Sequence, residues 1–182
     1  MDDFDEMMAE CNRLIEADPN NAEAYGDRGI MNLQSGQLDA AIADLSRLIE
    51  LRPSDVDAYV FRGLAYGGKN ELYGGKNELD LALADFNRAI ALDPNKADAY
   101  GNRGLVYFRM KQFETAITDL SKAIALGAGD ATNYYFRGDA YRRTSQWDRA
   151  RADLEKVLQL EPGHTGAKSS LAAVQSLSAL LG

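Results

Sequence analysis

The hexapeptide AYGDRG at residues 24–29 returns as AYVFRG at 58–63, as AYGNRG at 99–104 and as NYYFRG at 133–138. The repeated tyrosine is Tyr25, Tyr59, Tyr100 and Tyr134, so the first and third intervals are equal and the second is longer by one heptad. Self-similarity at a fixed period of about 20 to 50 residues is typical of repeat proteins, in which each unit contacts mainly its neighbours along the chain. This recurring stretch therefore indicates the fold class before any single helix is assigned.

Each repeat carries two apolar stripes with helical spacing. In the third copy the first stripe contains Tyr100, Gly104 and Tyr107, and the second contains Ala116 and Leu120. A polar break separates the stripes, and a proline ends most units because proline cannot continue a helix. Each unit is thus predicted to be a helical hairpin, and the hairpins must stack because one hairpin cannot bury its apolar face alone. The small residues of the first helices are expected to face those of the second helices, pairing Gly29, Gly63, Gly104 and Gly138 with Ala41, Ala82, Ala116 and Ala150.

Each unit has an aromatic residue, a glycine, an alanine in its second helix and, in most copies, a closing proline. This combination resembles the tetratricopeptide repeat over residues 22–164. One departure is the arginine that stands before each glycine, where the family usually has an apolar residue. The resemblance implies an all-α, right-handed superhelical solenoid of stacked helix-turn-helix repeats with a C-terminal capping helix. Within a single domain over residues 1–182 we expect a half-repeat helix at 3–17, repeats at 22–55, 56–96, 97–130 and 131–164, and the capping helix at 165–181.

The longer interval is caused by a tandem duplication inside the second repeat. Residues 66–72 read YGGKNEL, and residues 73–79 repeat the same seven letters. We expect the additional residues to lie at the junction between the two helices, because a longer surface loop costs little and four glycines oppose a helix. A helical extension by two turns is the competing outcome, since seven residues nearly preserve the facing of a helix.

The composition argues against most classes of enzyme and against several kinds of partner. Lys and Arg number 20 against 28 Asp and Glu, a net charge of −8, so we expect no nucleic-acid partner. Cys11 is the single cysteine, placed on an apolar face, and His164 is the single histidine, so we expect no metal site, no cofactor and no catalytic activity. The acidic start and the absence of a long apolar run predict a cytoplasmic protein without membrane insertion.

An arginine on each first helix recurs together with an aspartate on each second helix. An arginine row invites interpretation as an anion-binding surface. Because both residue types repeat with equal strictness, a ladder of structural ion pairs is the more economical interpretation. The predicted pairs are Arg28 with Asp44, Arg62 with Asp85, Arg103 with Asp119, and Arg137 with Asp153.

The resemblance also implies where a ligand binds, because tetratricopeptide-repeat proteins hold peptides in a concave groove lined by their first helices. The residues expected to line that groove are Ile30, Leu33, Val60, Leu64, Asn102, Leu105, Phe108, Tyr135, Asp139 and Arg142. Most are apolar, so the predicted function is a non-catalytic scaffold that binds an apolar or amphipathic peptide of a protein partner. The family's clamp for C-terminal carboxylates is not expected here. Self-assembly into a homo-oligomer, through the duplicated heptad or the terminal helices, is the alternative.

Overall fold

The structure is a computed structural model, and it describes residues 3–73 and 76–181. Those residues form α-helices joined by short turns, with no strand among them. The helices are α1 (Asp3–Ala17), α2 (Ala22–Gln34), α3 (Leu38–Leu51), α4 (Val56–Tyr73), α5 (Lys76–Leu92), α6 (Ala97–Arg109), α7 (Phe113–Ala125), α8 (Ala131–Arg143), α9 (Trp147–Leu160) and α10 (Thr165–Leu181). The all-α prediction is confirmed. Helices α1 and α10 span residues 3–17 and 165–181, and their roles as a half repeat and a cap stay predictions.

Side chains at the turns explain where several first helices begin. The Oδ1 atom of Asn21 accepts a hydrogen bond from the amide of Ala24 at 3.0 Å, which caps α2. Asp55 caps α4 in the same way, through the amide of Ala58 at 3.0 Å. These side chains satisfy amide groups that have no partner inside the helix, so each of these first helices starts at a defined residue.

The chain divides into two compact units, unit 1 (Met1–Pro94) and unit 2 (Asn95–Gly182). In unit 1 each helix packs against the next, and Leu45 and Phe86 are the largest fully buried side chains. In unit 2 the same neighbour packing buries Leu120, Leu154 and Val174. The prediction of one domain over residues 1–182 stays a prediction.

The two helices of a hairpin approach closely at the repeated glycines. A Cβ atom placed on Gly29 would lie 2.9 Å from Cγ of Leu45, and one on Gly104 would lie 2.8 Å from Cγ of Leu120. Both distances are shorter than a carbon–carbon contact, so only glycine fits these positions without a shift of the partner helix. The nearest partner is thus a large residue one turn beyond the alanine that the sequence pattern indicated.

The duplicated heptad lengthens both helices of the second repeat. Helices α4 and α5 have 18 and 17 residues, against 13 and 13 for α6 and α7. Counted from the repeated tyrosine, α4 ends five residues later than α6 does. Counted back from the paired aspartates, Asp85 and Asp119, α5 begins three residues earlier than α7. The expectation of a junction loop is therefore wrong for the described residues, and the competing helical extension is what forms. Gly74 and Gly75 lie outside the described residues.

Contacts with α3 explain how a glycine-rich segment stays helical. A Cβ atom on Gly68 would lie 3.2 Å from Cδ1 of Leu38, so α4 packs closely against the start of α3 at the point where its extension begins. Nζ of Lys69 lies 2.5 Å from Oδ1 of Asp39, in the first turn of α3. These contacts offset part of the penalty of about 1 kcal/mol that each glycine imposes in a helix.

Candidate functional site

The repeated arginines and aspartates form the predicted ladder of ion pairs. In each hairpin the guanidinium donates two hydrogen bonds, from Nε and Nη2, to the two carboxylate oxygens of one aspartate. The Nε–Oδ2 and Nη2–Oδ1 distances are 2.9 and 2.6 Å for Arg28 with Asp44, 2.9 and 2.7 Å for Arg62 with Asp85, 2.6 and 2.8 Å for Arg103 with Asp119, and 2.7 and 2.7 Å for Arg137 with Asp153.

These pairs are structural because the carboxylates are buried inside the hairpins. Asp44 is 6% exposed and Asp119 is 4% exposed. The hydrogen bond to Asp119 raises the pKa of Arg103, and the bond to Asp44 raises the pKa of Arg28. Both charges are therefore satisfied within the fold, and the arginine row does not present free guanidinium groups to an anion.

Unit 1 has a small cavity beside its first helices, α2 and α4. Its volume is about 210 Å³, and it lies among α2, α3 and α4. Among the predicted residues, Ile30 lines this cavity and is half-buried. The apolar part of the wall also includes Gly26, Leu45, Leu48 and Phe61, and the polar part consists of Glu23, Asp27, Arg52, Asp55 and Asp57.

The other predicted residues of unit 1 take different positions. Leu33 packs against the core of this unit, and Leu64 is half-buried. Val60 is only 4% exposed and belongs to the core. The neighbouring Phe61 lines the cavity instead. The repeat spacing predicts Val60 because this residue aligns with Gly26 and Gly101. The spacing alone does not show whether Val60 or Phe61 lines the cavity.

The first helices of unit 2 carry a cluster of aromatic rings. The ring of Phe108 lies 5.1 Å from that of Phe136 and 5.4 Å from that of Phe113, both edge to face. Tyr135 extends the cluster, with its ring 5.3 Å from Phe136 and 4.7 Å from His164. All these side chains are half-buried, so each keeps part of its surface open to a partner.

Leu105 and Asn102 lie earlier on α6, on the same helix as Phe108. Both are half-buried. Nδ2 of Asn102 donates a hydrogen bond to the carbonyl oxygen of Asp98 at 2.9 Å, which is one turn back on the helix. The amide side chain therefore binds its own helix in this structure, while Leu105 remains a partly open apolar surface.

The predicted polar end of the groove is an ion-pair cluster around a buried aspartate. Asp139 is 5% exposed and accepts hydrogen bonds from Nε of Arg142 at 2.6 Å and from Nε of Arg143 at 3.4 Å. Ser170 of α10 also donates to Asp139, at 3.4 Å. Asp139 thus lies against α10, and Arg142 is held against Asp139.

The remaining polar candidates have structural roles. Nδ1 of His164 accepts a hydrogen bond from the amide of Ala167 at 3.0 Å, at the start of α10. Cys11 is buried, and burial raises the pKa of its thiol. Within the described residues, no group of three His, Cys, Asp or Glu side chains could hold a metal ion. None of the described helices is both long enough and apolar enough to span a bilayer.

Comparisons with known proteins match the repeats of this chain to one family. The tetratricopeptide-repeat family matches residues 1–65, 73–111, 97–127 and 131–164. No curated protein matches the chain in sequence. Among solved structures, MamA is 30% identical, with 88% of this chain and 90% of that chain covered and a TM-score of 0.75.

Two further structures share the fold. TTC0263, a thermophilic TPR protein of Thermus thermophilus, is 21% identical, with 94% of this chain and 90% of that chain covered and a TM-score of 0.72. The first TPR of Spaghetti (RPAP3), bound to the HSP90 peptide SRMEEVD, is 29% identical, with 64% of this chain and 93% of that chain covered and a TM-score of 0.56.

Proposed function

This chain belongs to the tetratricopeptide-repeat family, and we propose that it is a non-catalytic scaffold that binds an apolar or amphipathic peptide segment of a protein partner on the exposed faces of its first helices. The family's fold and the peptide held by the Spaghetti neighbour support this proposal. It concerns each unit by itself, because each has its own partly open apolar surface.

The cavity of unit 1 is the observation that carries the proposal. Ile30 and Phe61 lie on two successive first helices, so a bound side chain would contact both repeats at once. A volume of about 210 Å³ suits one large apolar side chain or a few small ones. Burial of a Leu- or Phe-sized side chain contributes up to about 1.5–3 kcal/mol.

Charge around this cavity favours a particular kind of segment. Four carboxylates, those of Glu23, Asp27, Asp55 and Asp57, line the wall against the single guanidinium of Arg52. An acidic peptide such as SRMEEVD would meet like charges there, so we do not expect that ligand. An apolar anchor flanked by neutral or basic residues fits the wall better.

The aromatic cluster of unit 2 offers a second contact surface. The partly open faces of Leu105, Phe108 and Tyr135 suit an apolar strip of peptide. Aromatic side chains contribute large contact areas at low cost in conformational entropy, which makes them effective anchors in interfaces. Peptide binding at this surface does not require that the same segment reach unit 1.

The test begins with selection of a peptide from a phage-displayed random library on the full chain. Its affinity is then measured by calorimetry for the wild type, for Ile30→Asp and for Leu105→Asp. We expect at least one of the two variants to weaken binding about tenfold or more, because a carboxylate on an apolar contact surface must be desolvated. Leu160→Asp is the matched control, since Leu160 is a 45% exposed leucine on α9, a second helix.

A selected peptide that binds Ile30→Asp and Leu105→Asp as tightly as the wild type would refute the assignment of these faces. Circular dichroism of each variant establishes that the helices are retained. A loss of binding caused equally by Leu160→Asp would point to the second helices instead.

Self-assembly is the second candidate function, and the charge distribution favours it. Unit 1 contains 8 Lys and Arg against 19 Asp and Glu, a net charge of −11. Unit 2 contains 12 against 9, a net charge of +3. Opposite charges favour contact between unit 1 of one copy and unit 2 of another, most strongly at low salt. Sedimentation velocity at about 20 mM and about 500 mM salt tests this, and a monomer under both conditions excludes it.

A further inference from the structure

Helix α1 is a second helix that has no first helix beside it among the described residues. One repeat period relates Met7, Cys11 and Leu14 of α1 to Ala41, Leu45 and Leu48 of α3. In α3 these positions pack against the first helix of the same repeat, as the contact between Gly29 and Leu45 shows. In α1 the equivalent positions have only α2 as a described neighbour.

The consequence is an apolar face that is only partly covered. Met7 is 57% exposed and Leu14 is 37% exposed, whereas Ala41 and Leu48 are 0% and 6% exposed. A cavity of about 540 Å³ lies along this face. It is lined by Asp3, Glu6, Met7, Glu10, Cys11, Leu14 and Asp27. The cavity follows the length of α1, so its shape suits another helix rather than a small ligand.

Glu10 supplies the second observation, because it stands where the ladder of ion pairs would continue. The same repeat period relates Glu10 to Asp44, the buried partner of Arg28. Among the described residues, Glu10 has no first-helix arginine of this kind. It instead pairs with Arg13 on its own helix, Nη2 to Oε2 at 2.6 Å, with side chains 47% and 74% exposed. A one-turn pair at the surface contributes little and exchanges readily with a better partner.

We propose that this face of α1 binds an amphipathic helix of a partner protein, which lies against α1 as a first helix lies against the second helix of a repeat. The partner helix carries an arginine opposite Glu10, followed by glycine or alanine where the helices approach most closely. Its apolar side chains cover Met7 and Leu14. This surface shares Asp27 with the cavity of unit 1, but its apolar residues, Met7, Cys11 and Leu14, do not line that cavity.

Charge complementarity defines the partner further. Residues 1–20 contain seven acidic residues against one basic residue, Arg13. Asp3, Glu6 and Asp27 line the cavity around the apolar positions. A helix with basic flanks is attracted to this face, and an acidic helix is repelled. The structure therefore assigns the face to a basic amphipathic helix that has the arginine-glycine pattern of this chain's own first helices.

The test uses a labelled synthetic peptide with the sequence of α6, ADAYGNRGLVYFR, which carries that pattern. Fluorescence anisotropy measures its binding to the full chain. We expect saturable binding that weakens at least tenfold in Glu10→Arg. The peptide variant Arg103→Glu should bind the wild type weakly and regain affinity for the Glu10→Arg chain. Glu50→Arg is the matched control, because Glu50 is an exposed glutamate on α3 that pairs with Arg47 one turn away.

Binding that is unchanged by Glu10→Arg, or that is lost equally in Glu50→Arg, would overturn the proposal. Absence of binding at millimolar peptide would overturn it as well. Sedimentation of the chain without peptide tests whether a second copy of the chain occupies this face instead. If the wild type forms oligomers that Glu10→Arg dissociates, the face binds a second copy and the assignment to a partner protein is wrong. Ile30→Asp should leave this binding unchanged, so failure here is distinguishable from failure of the proposed function.

Discussion

The hairpin of α4 and α5 and the hairpin of α6 and α7 contain the same kind of ion pair but have different lengths. Arg62 reaches Asp85 across 23 residues of chain, and Arg103 reaches Asp119 across 16, with the same bidentate geometry. The extra seven residues are accommodated beyond the ion pair, at the end of the hairpin that joins the two helices. A helical hairpin thus tolerates insertion at its tip while the contacts nearer its base stay in register.

The two identical heptads show how strongly position outweighs local sequence. The first copy is helical throughout, within α4. The second copy contains the last residue of α4 and the start of α5. Its leucine, Leu79, is 8% exposed, whereas the leucine of the first copy, Leu72, is 65% exposed. The same seven letters therefore make a core residue in one place and a surface residue in the other.

The strongest test of this comparison replaces each leucine by alanine. Leu79→Ala should lower the free energy of unfolding by about 2–4 kcal/mol, because it leaves a cavity beside a buried position. Leu72→Ala should change it by less than about 0.5 kcal/mol, since Leu72 is mostly in water. Urea unfolding followed by circular dichroism measures both. Equal effects would mean that the two copies do not differ in burial.

Deletion of residues 73–79 tests whether the extension matters for the rest of the fold. The shortened repeat returns to the spacing of the other repeats, and Leu72 then takes the place of Leu79. We expect the variant to fold with a smaller helical signal and to gain up to about 1 kcal/mol, because Gly67 and Gly68 would move from a helix interior to its last turn. A variant that fails to fold would show that the contacts of the extension with α3 are essential.

The smallest expected effect concerns the position eleven residues after the repeated tyrosine, which is Lys111 in one hairpin and Asn70 in the other. Lys111 has a φ of +61° in the turn between α6 and α7, a conformation that glycine adopts without strain. Lys111→Gly should raise the free energy of unfolding by about 0.5 kcal/mol. Asn70 stands at the same count from its repeat tyrosine but lies inside α4, so Asn70→Gly should lower it by about 0.3 kcal/mol. Thermal melts of both variants show whether each change in stability is positive or negative. Changes of the same sign would contradict the conclusion that this position is a turn in one hairpin and helical in the other.

The sequence alone determined the repeat period, the pairing of helices and the ion-pair ladder. These features follow from residues that recur at fixed spacing, so each unit has the same residue types at the same positions of its two helices. Arg28 and Asp44 could be paired from spacing because a hairpin brings positions 16 residues apart together. The buried second-helix residues, such as Leu45 and Leu154, follow from helical periodicity in the same way.

Tertiary packing decided what the spacing left open. The choice between loop and helix at the duplicated heptad depended on contacts of Gly68 and Lys69 with α3, a helix of the preceding repeat. The presence of Phe61 rather than Val60 in the cavity depended on how α4 is rotated against its neighbours. Burial of Asp139 depended on α10 covering it through Ser170. Each outcome depends on contacts between segments that are distant in sequence. The energies of such contacts cannot be read from a local sequence pattern.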